Sequence, residues 1–282
     1  MVNLVTVPYL LYELEEDGIL WIKFNRPERL NAIVGTNQLS GTLAKVGEYM
    51  RAGDDDPRVR VIVLTGVGRG FCAGADISGR TEGFDADDLA LGSRPHPGTD
   101  ATRESFFYGL TKLAKDLTNI RKPTIAMVNG PAAGIGMDMA LHCDIRYGCE
   151  NTRFIAYQQV GQIIENGGCY WLPRIVGLGR ALEFAYTGFL DADRAYQWGM
   201  LNALVPADQL EGEVRALCGR IIDTPPLTQW VHKRIMRAAL DSNLETTAVL
   251  TSNAAVILGD SGDAKEARKA LAEKRKPAFL GR

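Results

Sequence analysis

Histidine is scarce in this chain of 282 residues, and its cysteines lack the spacing of a metal or redox motif. The three histidines are His96, His142 and His232, and His142 lies in an apolar helical run that is typical of a packed core residue. The five cysteines are odd in number and include no C-x-x-C pair, a pattern that favours free thiols over disulfides. We therefore expect no metal site and a reducing compartment, the cytoplasm.

Long apolar runs and an excess of charge are also missing. No apolar run approaches the ~18 residues of a transmembrane helix, and the N-terminus has no basic region of the kind that opens a secretory signal. Lys and Arg number 32 against 34 Asp and Glu, a net charge of −2. That balance argues against a protein that holds nucleic acid through its phosphates. With 46% hydrophobic residues, the chain can bury a large core. We expect neither a membrane nor a nucleic-acid partner.

Glycine is plentiful, at 30 residues, but it does not form the common glycine motifs. The dinucleotide motif G-x-G-x-x-G and the phosphate loop G-x-x-x-x-G-K-[ST] find no convincing match. The G-x-S-x-G elbow of many serine hydrolases is absent. Glycine weakens ordinary helices and strands, so its abundance requires another explanation.

Strands and helices alternate over roughly the first 200 residues, which predicts an α/β fold. Two apolar runs flank Asp17-Gly18 and predict a hairpin over 9–24. The runs 59–65, 123–129 and 144–147 predict strands, of which the first two are buried on both faces. Apolar spacing predicts helices over 36–52, 103–120 and 137–143. The polar segment 79–103 predicts a long mobile loop.

The chain becomes almost wholly helical after Val205-Pro206, with breaks near Pro225-Pro226 and Gly259–Gly262. We therefore predict a core over residues 1–205 and a helical C-terminal region over 206–282.

Two predicted buried strands end in glycines that lead toward the start of a helix, at 66–77 and 129–138. Backbone N–H groups at a helix start are unpaired and carry partial positive charge. Two such junctions that faced one point would form an anion pocket. Glycines that merely allow strands and helices to pack closely would give the same pattern in either segment alone.

Asp138 and Glu165 are the acid–base candidates, because each stands at a glycine-rich helix entrance. Asp138 would lie in the first turn of its helix, where the helix dipole favours the charged form. In the simpler interpretation, Asp138 only complements the helix dipole, and Glu165 only caps the helix that follows it. The other interpretation is a pair of carboxylates that exchanges protons with a substrate.

Several segments match one enzyme family in the correct order over most of residues 10–206. They are Asn25–Ala32 (NRPERLNA), Leu64–Ile77, Lys122–Gly130 leading to Cys143–Ile145, Leu172–Gly177 with Thr187-Gly188, and Gly199–Asn202 to Val205-Pro206. On these motifs the chain resembles the crotonase superfamily, the enoyl-CoA hydratase/isomerase group. The resemblance implies a crotonase-like α/β spiral of repeated ββα units that contains the active site in 1–205. It also implies that the helices of 206–282 assemble a homotrimer or a dimer of trimers and complete part of the coenzyme A pocket.

The resemblance further implies a coenzyme A thioester as substrate and no permanently bound cofactor. The thioester oxygen would lie between the N–H groups of Ala75 and Ile135, where fixed dipoles stabilise an enolate-like charge. Many family members have glycine where Ile135 stands. The residues that match the coenzyme A path are Arg29, Leu30, Ala32, Ala73, Asp76, Ile77 and Gly134.

This sequence departs from the hydratases of the family at the second of their two catalytic glutamates. Asp138 matches the first. The second falls at Gln158 when counted forward from Phe154, and at Tyr157 when counted back from Gly161. Glu165 matches instead a carboxylate of several isomerase-type members, so the resemblance implies acid–base catalysis by Asp138 and Glu165.

We therefore predict an enoyl-CoA hydratase/isomerase-type enzyme of fatty acid metabolism. Two alternatives stay open. One is hydrolysis of a C–C bond or thioester in a cyclic β-keto acyl-CoA, with Tyr157, Gln158, Asn166 and Tyr170 shaping the pocket. The other is a homologue that binds acyl-CoA without turnover.

Overall fold

The computed structural model describes residues 7–34, 41–76, 112–158 and 161–281. Strands and helices alternate along the chain up to residue 204, and helices follow. In chain order the elements are β1 (Leu10–Leu14), β2 (Ile19–Phe24), a 3₁₀ turn (Pro27–Arg29), α1 (Gly41–Asp55), β3 (Val61–Gly66), α2 (helical over 112–118), β4 (Thr124–Val128), β5 (Pro131–Ala133), α3 (Ile135–His142), β6 (Ile145–Gly148), β7 (Arg153–Ile155), α4 (Gly168–Val176), α5 (Leu178–Thr187), β8 (Phe189–Asp191), α6 (Ala192–Gln197), β9 (Ala203–Leu204), α7 (Leu210–Ile222), α8 (Pro226–Ala239), α9 (Leu244–Gly259) and α10 (Gly262–Ala272).

A six-stranded sheet with the order β1-β2-β3-β4-β6-β9 forms the centre of the fold. β1 and β2 pair antiparallel and confirm the predicted hairpin, whereas the remaining neighbours are parallel. Every residue of β3 and β4 is buried, as their continuous apolar runs predict. The carboxyl ends of these parallel strands meet at one edge of the sheet, where ligands commonly bind in α/β proteins.

A second sheet, with the order β5-β7-β8, stands apart from the first. Each of its strands has only three residues. The sequence does not predict these strands, because three residues are too few to show a hydrophobic period. β5 follows β4 after two residues and leads through Gly134 into α3. This short strand therefore sets where α3 begins.

The helical predictions are confirmed with small shifts where the structure describes them, since 36–40 and 103–111 lie outside the described residues. α1 ends at residue 55 rather than 52, and helix is present over 112–118 within the predicted 103–120. The predicted loop 79–103, which contains His96, lies outside the described residues. No helix in the described parts of the chain is long and apolar enough to cross a membrane.

The chain divides into two compact units. The first comprises Met1–Ile120 and Thr124–Val214, and the second comprises Arg121–Pro123 and Arg215–Arg282. The first unit contains both sheets and helices α1 to α6. The second contains α8, α9 and α10, and α7 runs through the division at residues 214 and 215.

Candidate active site

The two glycine-rich junctions lie side by side because a short parallel bridge pairs Cys72 with Ala132. The Cys72 N–H donates to the Pro131 carbonyl at 3.1 Å, and the Ala133 N–H donates to the Cys72 carbonyl at 2.9 Å. Ala75 and Ile135 each follow their bridged residue by three positions. The bridge therefore joins the two segments that carry the predicted N–H donors.

The hydrogen bonds around Ala75 and Ile135 do not use the N–H group of either residue. Ile33 bridges to Ala75, but its bonds go to the neighbours: its N–H donates to Gly74 O at 2.8 Å and its carbonyl accepts from Asp76 N at 3.2 Å. Ile135 is the first residue of α3, where an N–H has no partner within the helix. Neither N–H has a hydrogen-bond acceptor among the described residues.

Several glycines of the two junctions lie where a side chain would be strained or would collide with the neighbouring junction. A Cβ at Gly136 would lie 2.3 Å from the Cys72 carbonyl oxygen, and one at Gly74 would lie 2.7 Å from Ala133 O. Gly134 has φ of +51°, a conformation that favours glycine. Ile135 itself is half-buried and packs against the core. The isoleucine side chain therefore has a place within the apolar packing.

Four of the residues predicted to line the coenzyme A path are brought together. Arg26 donates from Nη1 to the Ala32 carbonyl at 2.7 Å and pairs through Nη2 with Asp76 at 3.2 Å. The Ala73 N–H donates to Leu30 O at 3.0 Å. Arg26 belongs to the family motif, but the sequence does not predict its ion pair, because the pair joins positions 50 residues apart.

The other predicted path residues are less closely connected. Arg29 ends the 3₁₀ turn and is exposed, and the Gly134 N–H donates to Ile155 O at 2.9 Å. Ile77 lies outside the described residues. Leu30, which has φ of +50°, also lines a cavity of about 530 Å³. The other lining residues are Gly68, Arg69, Asn129, Pro131, Cys149, Asn151, Ala207 and Leu210.

Tyr157, rather than Gln158, faces the two junctions. Its hydroxyl donates to the Ala73 carbonyl at 3.1 Å, and its ring lies beside Gly134, where an added Cβ would be 3.1 Å from Cδ2. Burial raises the pKa of Tyr157, so the phenol stays protonated at neutral pH. The Gln158 amide lies instead against Gly188. The structure therefore places Tyr157, and not Gln158, beside the two glycine-rich junctions.

Asp138 lies in the first turn of α3 and is 1% exposed. Its Oδ1 has no hydrogen-bond partner among the described residues. Burial first, and then the negative charge of Glu165, raise the pKa of Asp138 well above its usual value. Contacts from the Glu165 backbone and the Asn166 side chain lower the pKa, but by less. Desolvation therefore opposes the charged form that the position of Asp138 in the helix favours.

Glu165 is half-buried and precedes α4 by three residues. The N-cap of α4 is Gly167, and no side chain forms a cap hydrogen bond there. The interpretation of Glu165 as a helix cap is therefore wrong. Burial raises the pKa of Glu165, and its charge acts on Asp138. The two carboxylates consequently lie within electrostatic reach of each other.

A family model for enoyl-CoA hydratase/isomerase matches residues 14–282. The chain belongs to this family. It is 32% identical to 1,2-epoxyphenylacetyl-CoA isomerase of Escherichia coli over 95% of this chain and 97% of that protein. It is 30% identical to crotonyl-CoA hydratase of Syntrophomonas wolfei, with coverage of 95% and 96%.

Solved structures support the same assignment. An enoyl-CoA hydratase from Bacillus anthracis superposes with a TM-score of 0.82 at 25% identity, covering 97% of this chain and 100% of that one. The α/β crotonase fold inferred from the sequence motifs is confirmed. The family member described here is an enzyme of the hydratase/isomerase type that acts on acyl-CoA thioesters.

Proposed function

We propose that this enzyme moves a double bond within an acyl-CoA thioester by proton transfer, with Asp138 and Glu165 as the acid–base pair. The observation that supports this most strongly is geometric: buried Asp138 abuts the backbone of Gly168, whose own N–H donates to the Glu165 carbonyl at 2.7 Å. The charge of Glu165 raises the pKa of Asp138, which agrees with this proximity. The N–H groups of Ala75 and Ile135 polarise the thioester oxygen.

Removal of a proton next to a thioester places negative charge on the thioester oxygen. Two fixed N–H dipoles stabilise that charge without having to reorganise during the reaction, and one such donor typically contributes about 3 kcal/mol. The bridge between Cys72 and Ala132 holds the donors of Ala75 and Ile135 in register. We infer that the enolate oxygen binds between them.

Isomerisation needs one group to accept a proton from carbon and a group to return a proton to another carbon. A carboxylate is more effective in this role when its pKa is raised toward the working pH. The pKa values of Asp138 and Glu165 are both raised, and the charge of Glu165 contributes to the shift at Asp138. In the proposed reaction, one carboxylate accepts the proton from the first carbon and a carboxyl group delivers a proton to the second carbon, which converts the enolate to the isomeric thioester.

Hydration is less well supported than isomerisation. The position of the second hydratase glutamate offers only Tyr157, whose hydroxyl is bound to Ala73 O, and Gln158, which lies against Gly188. Neither residue is a carboxylate that would activate a water. The similarity to 1,2-epoxyphenylacetyl-CoA isomerase also favours an isomerase.

The same proposal assigns the coenzyme A path to Arg29, Leu30, Ala32, Ala73, Asp76, Ile77 and Gly134. The hydrogen bonds among Arg26, Leu30, Ala32, Ala73 and Asp76 support a preformed wall for the ligand. Arg29 is an exposed cation that suits a phosphate group. If Arg29 binds the ligand, Arg29→Ala should raise KM and leave kcat nearly unchanged.

We also propose that the helical region of 206–282 assembles a homotrimer or a dimer of trimers, and that the enzyme works in the cytoplasm. α9 supports self-association, because none of its residues is buried although it is strongly apolar. None of the five cysteines forms a disulfide, which suits a reducing compartment.

The experiment is a mass-spectrometric screen of 3-enoyl-, 2-enoyl-, dienoyl- and cyclic β-keto-CoA thioesters in ordinary and deuterated water. Isomerisation leaves the mass unchanged in ordinary water and incorporates deuterium in heavy water. Hydration adds one water, and hydrolysis releases an acid or free coenzyme A. Binding without turnover across the panel would contradict an enzymatic role and favour an acyl-CoA-binding homologue.

Asp138→Asn and Glu165→Gln should each lower kcat by about 100-fold or more, the usual contribution of a general acid or base. Asp193→Asn is the matched control, because Asp193 also lies in the first turn of a helix, α6, but is exposed. It should keep full activity. Full activity in both carboxylate variants would contradict the proposed mechanism.

A further inference from the structure

His142 is a buried histidine whose two ring nitrogens both have polar partners. It is the last residue of α3 and is 3% exposed. Its Nδ1 lies 3.0 Å from the indole nitrogen of Trp171 and 3.3 Å from the hydroxyl of Thr118. Its Nε2 lies 2.6 Å from the carbonyl oxygen of Asn166. The ring therefore connects α2, α3, α4 and the turn that precedes α4.

These partners define the protonation state of the ring. An indole N–H only donates, so Nδ1 must accept, and a backbone carbonyl only accepts, so Nε2 must carry the proton. The neutral Nε2–H form satisfies both contacts at once. A doubly protonated ring would direct Nδ1–H at the Trp171 N–H, and the other neutral tautomer would direct a lone pair at the Asn166 oxygen.

The turn that His142 contacts has an unusual backbone conformation. Asn166 and Gly167 are both left-handed, with φ of +45° and +86°. A Cβ at Gly167 would lie 2.8 Å from Nε2 of His142, so the ring rests directly on the glycine backbone. A residue with a Cβ rarely adopts positive φ without support. The bond from His142 to the Asn166 carbonyl gives that support one residue after Glu165.

One face of α3 contacts both this turn and the first residue of α4. Asp138 and His142 are four residues apart and share a face of the helix. Asp138 Oδ1 abuts the backbone of Gly168, and His142 binds Asn166 O. We propose that His142 is a positioning residue that holds Glu165 in place relative to Asp138 through the Asn166 carbonyl. The inference rests on the proposed function, in which the two carboxylates transfer the proton.

His142 does not itself exchange a proton with the substrate, because both nitrogens are already hydrogen-bonded within the protein. Its role is to hold Glu165 at the correct position relative to Asp138. Displacing a catalytic group by about 1 Å can lower a rate by about 100-fold. A His142 that only filled the core would instead affect stability and leave the turnover of folded enzyme unchanged.

The test compares His142→Asn with His142→Gln, using 3-hexenoyl-CoA as the probe. The Gln side chain is long enough to place an N–H near the Nε2 position and so to donate to Asn166 O. The Asn side chain ends near Nδ1 and cannot. His142→Asn should lower kcat by about 10- to 100-fold with little change in KM, and His142→Gln should recover most of that loss.

Two further measurements separate positioning from packing. The pH profile of kcat should shift in His142→Asn, because it reports Asp138 and Glu165. The Cys169 thiol also lies near Asp138, but burial and the charge of Asp138 raise the pKa of this thiol. Trp171→Phe removes the indole donor but leaves the bond to Asn166 O, so it should retain most of the activity. A folded His142→Asn enzyme with the kcat and pH profile of the unmodified enzyme would overturn the inference.

A measurement on the unmodified enzyme covers the case in which His142→Asn does not fold. Nitrogen NMR of ¹⁵N-histidine-labelled protein should show the Nε2–H tautomer at His142 at neutral pH, because the Trp171 donor and the Asn166 acceptor select it. His96→Gln and His232→Gln assign the other two signals. A protonated ring or the Nδ1–H tautomer at neutral pH would overturn the inference. If Asp138→Asn and Glu165→Gln keep full activity, the proposed function fails instead.

Discussion

Asp138 lies so close to Gly168 that a Cβ added to this glycine would be 2.1 Å from Asp138 Oδ1. Gly168 begins α4, so the carboxylate of α3 meets the backbone of the next helix with no side chain between them. The contact helps to bury Asp138 and thereby raises its pKa. Any side chain at position 168 must displace the carboxylate.

Gly168→Ala should therefore lower kcat by about 100-fold, because it displaces a proposed proton-transfer group. Gly179→Ala is the matched control. Gly179 also lies in the first turn of a helix, α5, and a Cβ there meets nothing within 4 Å. That variant should keep its activity and gain up to about 1 kcal/mol of stability, the usual advantage of Ala in a helix. Equal activity in the two variants would contradict a functional role for the contact.

Asp138 should make the folded protein less stable as the pH rises. Its folded-state pKa is raised above the value of 3.8, so the folded chain holds a proton that the unfolded chain releases. The stabilising contribution is complete below that value and is lost as the pH rises through the folded-state pKa. Asp138→Asn removes this dependence, because an amide does not ionise. Thermal unfolding from acidic to neutral pH measures the difference.

We expect the Tm of Asp138→Asn to exceed that of the unmodified protein at neutral pH, and the gap to narrow toward pH 4. Glu165→Gln should show the same direction, because burial raises that pKa above 4.5. Asp193→Asn, at an exposed position, is the control. If Asp138→Asn were less stable than the unmodified protein at every pH, the carboxyl would have to be stabilised in its charged form.

Ile135 should tolerate substitution better than its neighbour Gly136, because the proposed donor at position 135 is a main-chain N–H. Ile135→Ala should cost about 1–2 kcal/mol of stability, less than a fully buried isoleucine, and should leave kcat within about tenfold. Gly136→Ala would place a Cβ 2.3 Å from the Cys72 carbonyl oxygen and push the two glycine-rich junctions apart. It should lower kcat by about 100-fold or more, the loss expected for one donor.

Steady-state kinetics at saturating substrate, with circular dichroism to confirm folding, distinguish these two variants. If Ile135→Ala loses as much activity as Gly136→Ala while both remain folded, the side chain of Ile135 must contribute directly.

Local chemistry explains why parts of this fold are predictable from sequence. The Asp17-Gly18 hairpin and the buried strands β3 and β4 follow from turn residues and apolar runs that lie next to each other in the chain. The glycines of the two junctions are visible for the same reason. The local sequence does not show which atoms a glycine approaches. Gly136, for example, lies against the Cys72 carbonyl, more than 60 positions away in the chain.

The candidate site shows the corresponding limit. Position in a helix favours a charged Asp138, but burial and Glu165, which follows much later in the chain, raise its pKa. Counting residues left Tyr157 and Gln158 equivalent, and only the packing against Ala73 and Gly188 separated them. His142 gave no sequence signal beyond its place in an apolar helix. Its partners Asn166 and Trp171 come from a segment that follows two strands later.

The exposed apolar face of α9 supports the last prediction, which concerns self-association. Leu250 and Ile257 are 41% and 73% exposed and lie seven residues apart, on one side of the helix. Val249 and Val256, at 60% and 71%, repeat the spacing beside them. Apolar side chains exposed together in this way commonly mark an interface. Since α9 has no buried residues, this face is available to a second copy of the chain.

Leu250→Asp combined with Ile257→Asp should therefore shift the protein from the oligomer to the monomer, because burying a carboxylate without a partner is costly. Thr251→Asp is the matched control, because it adds a charge to the same helix about 100° from Leu250. Analytical ultracentrifugation measures the mass, and circular dichroism confirms that the helices persist. An unchanged oligomer in the double variant would place the interface elsewhere, and a monomeric unmodified protein would contradict the proposed trimer directly.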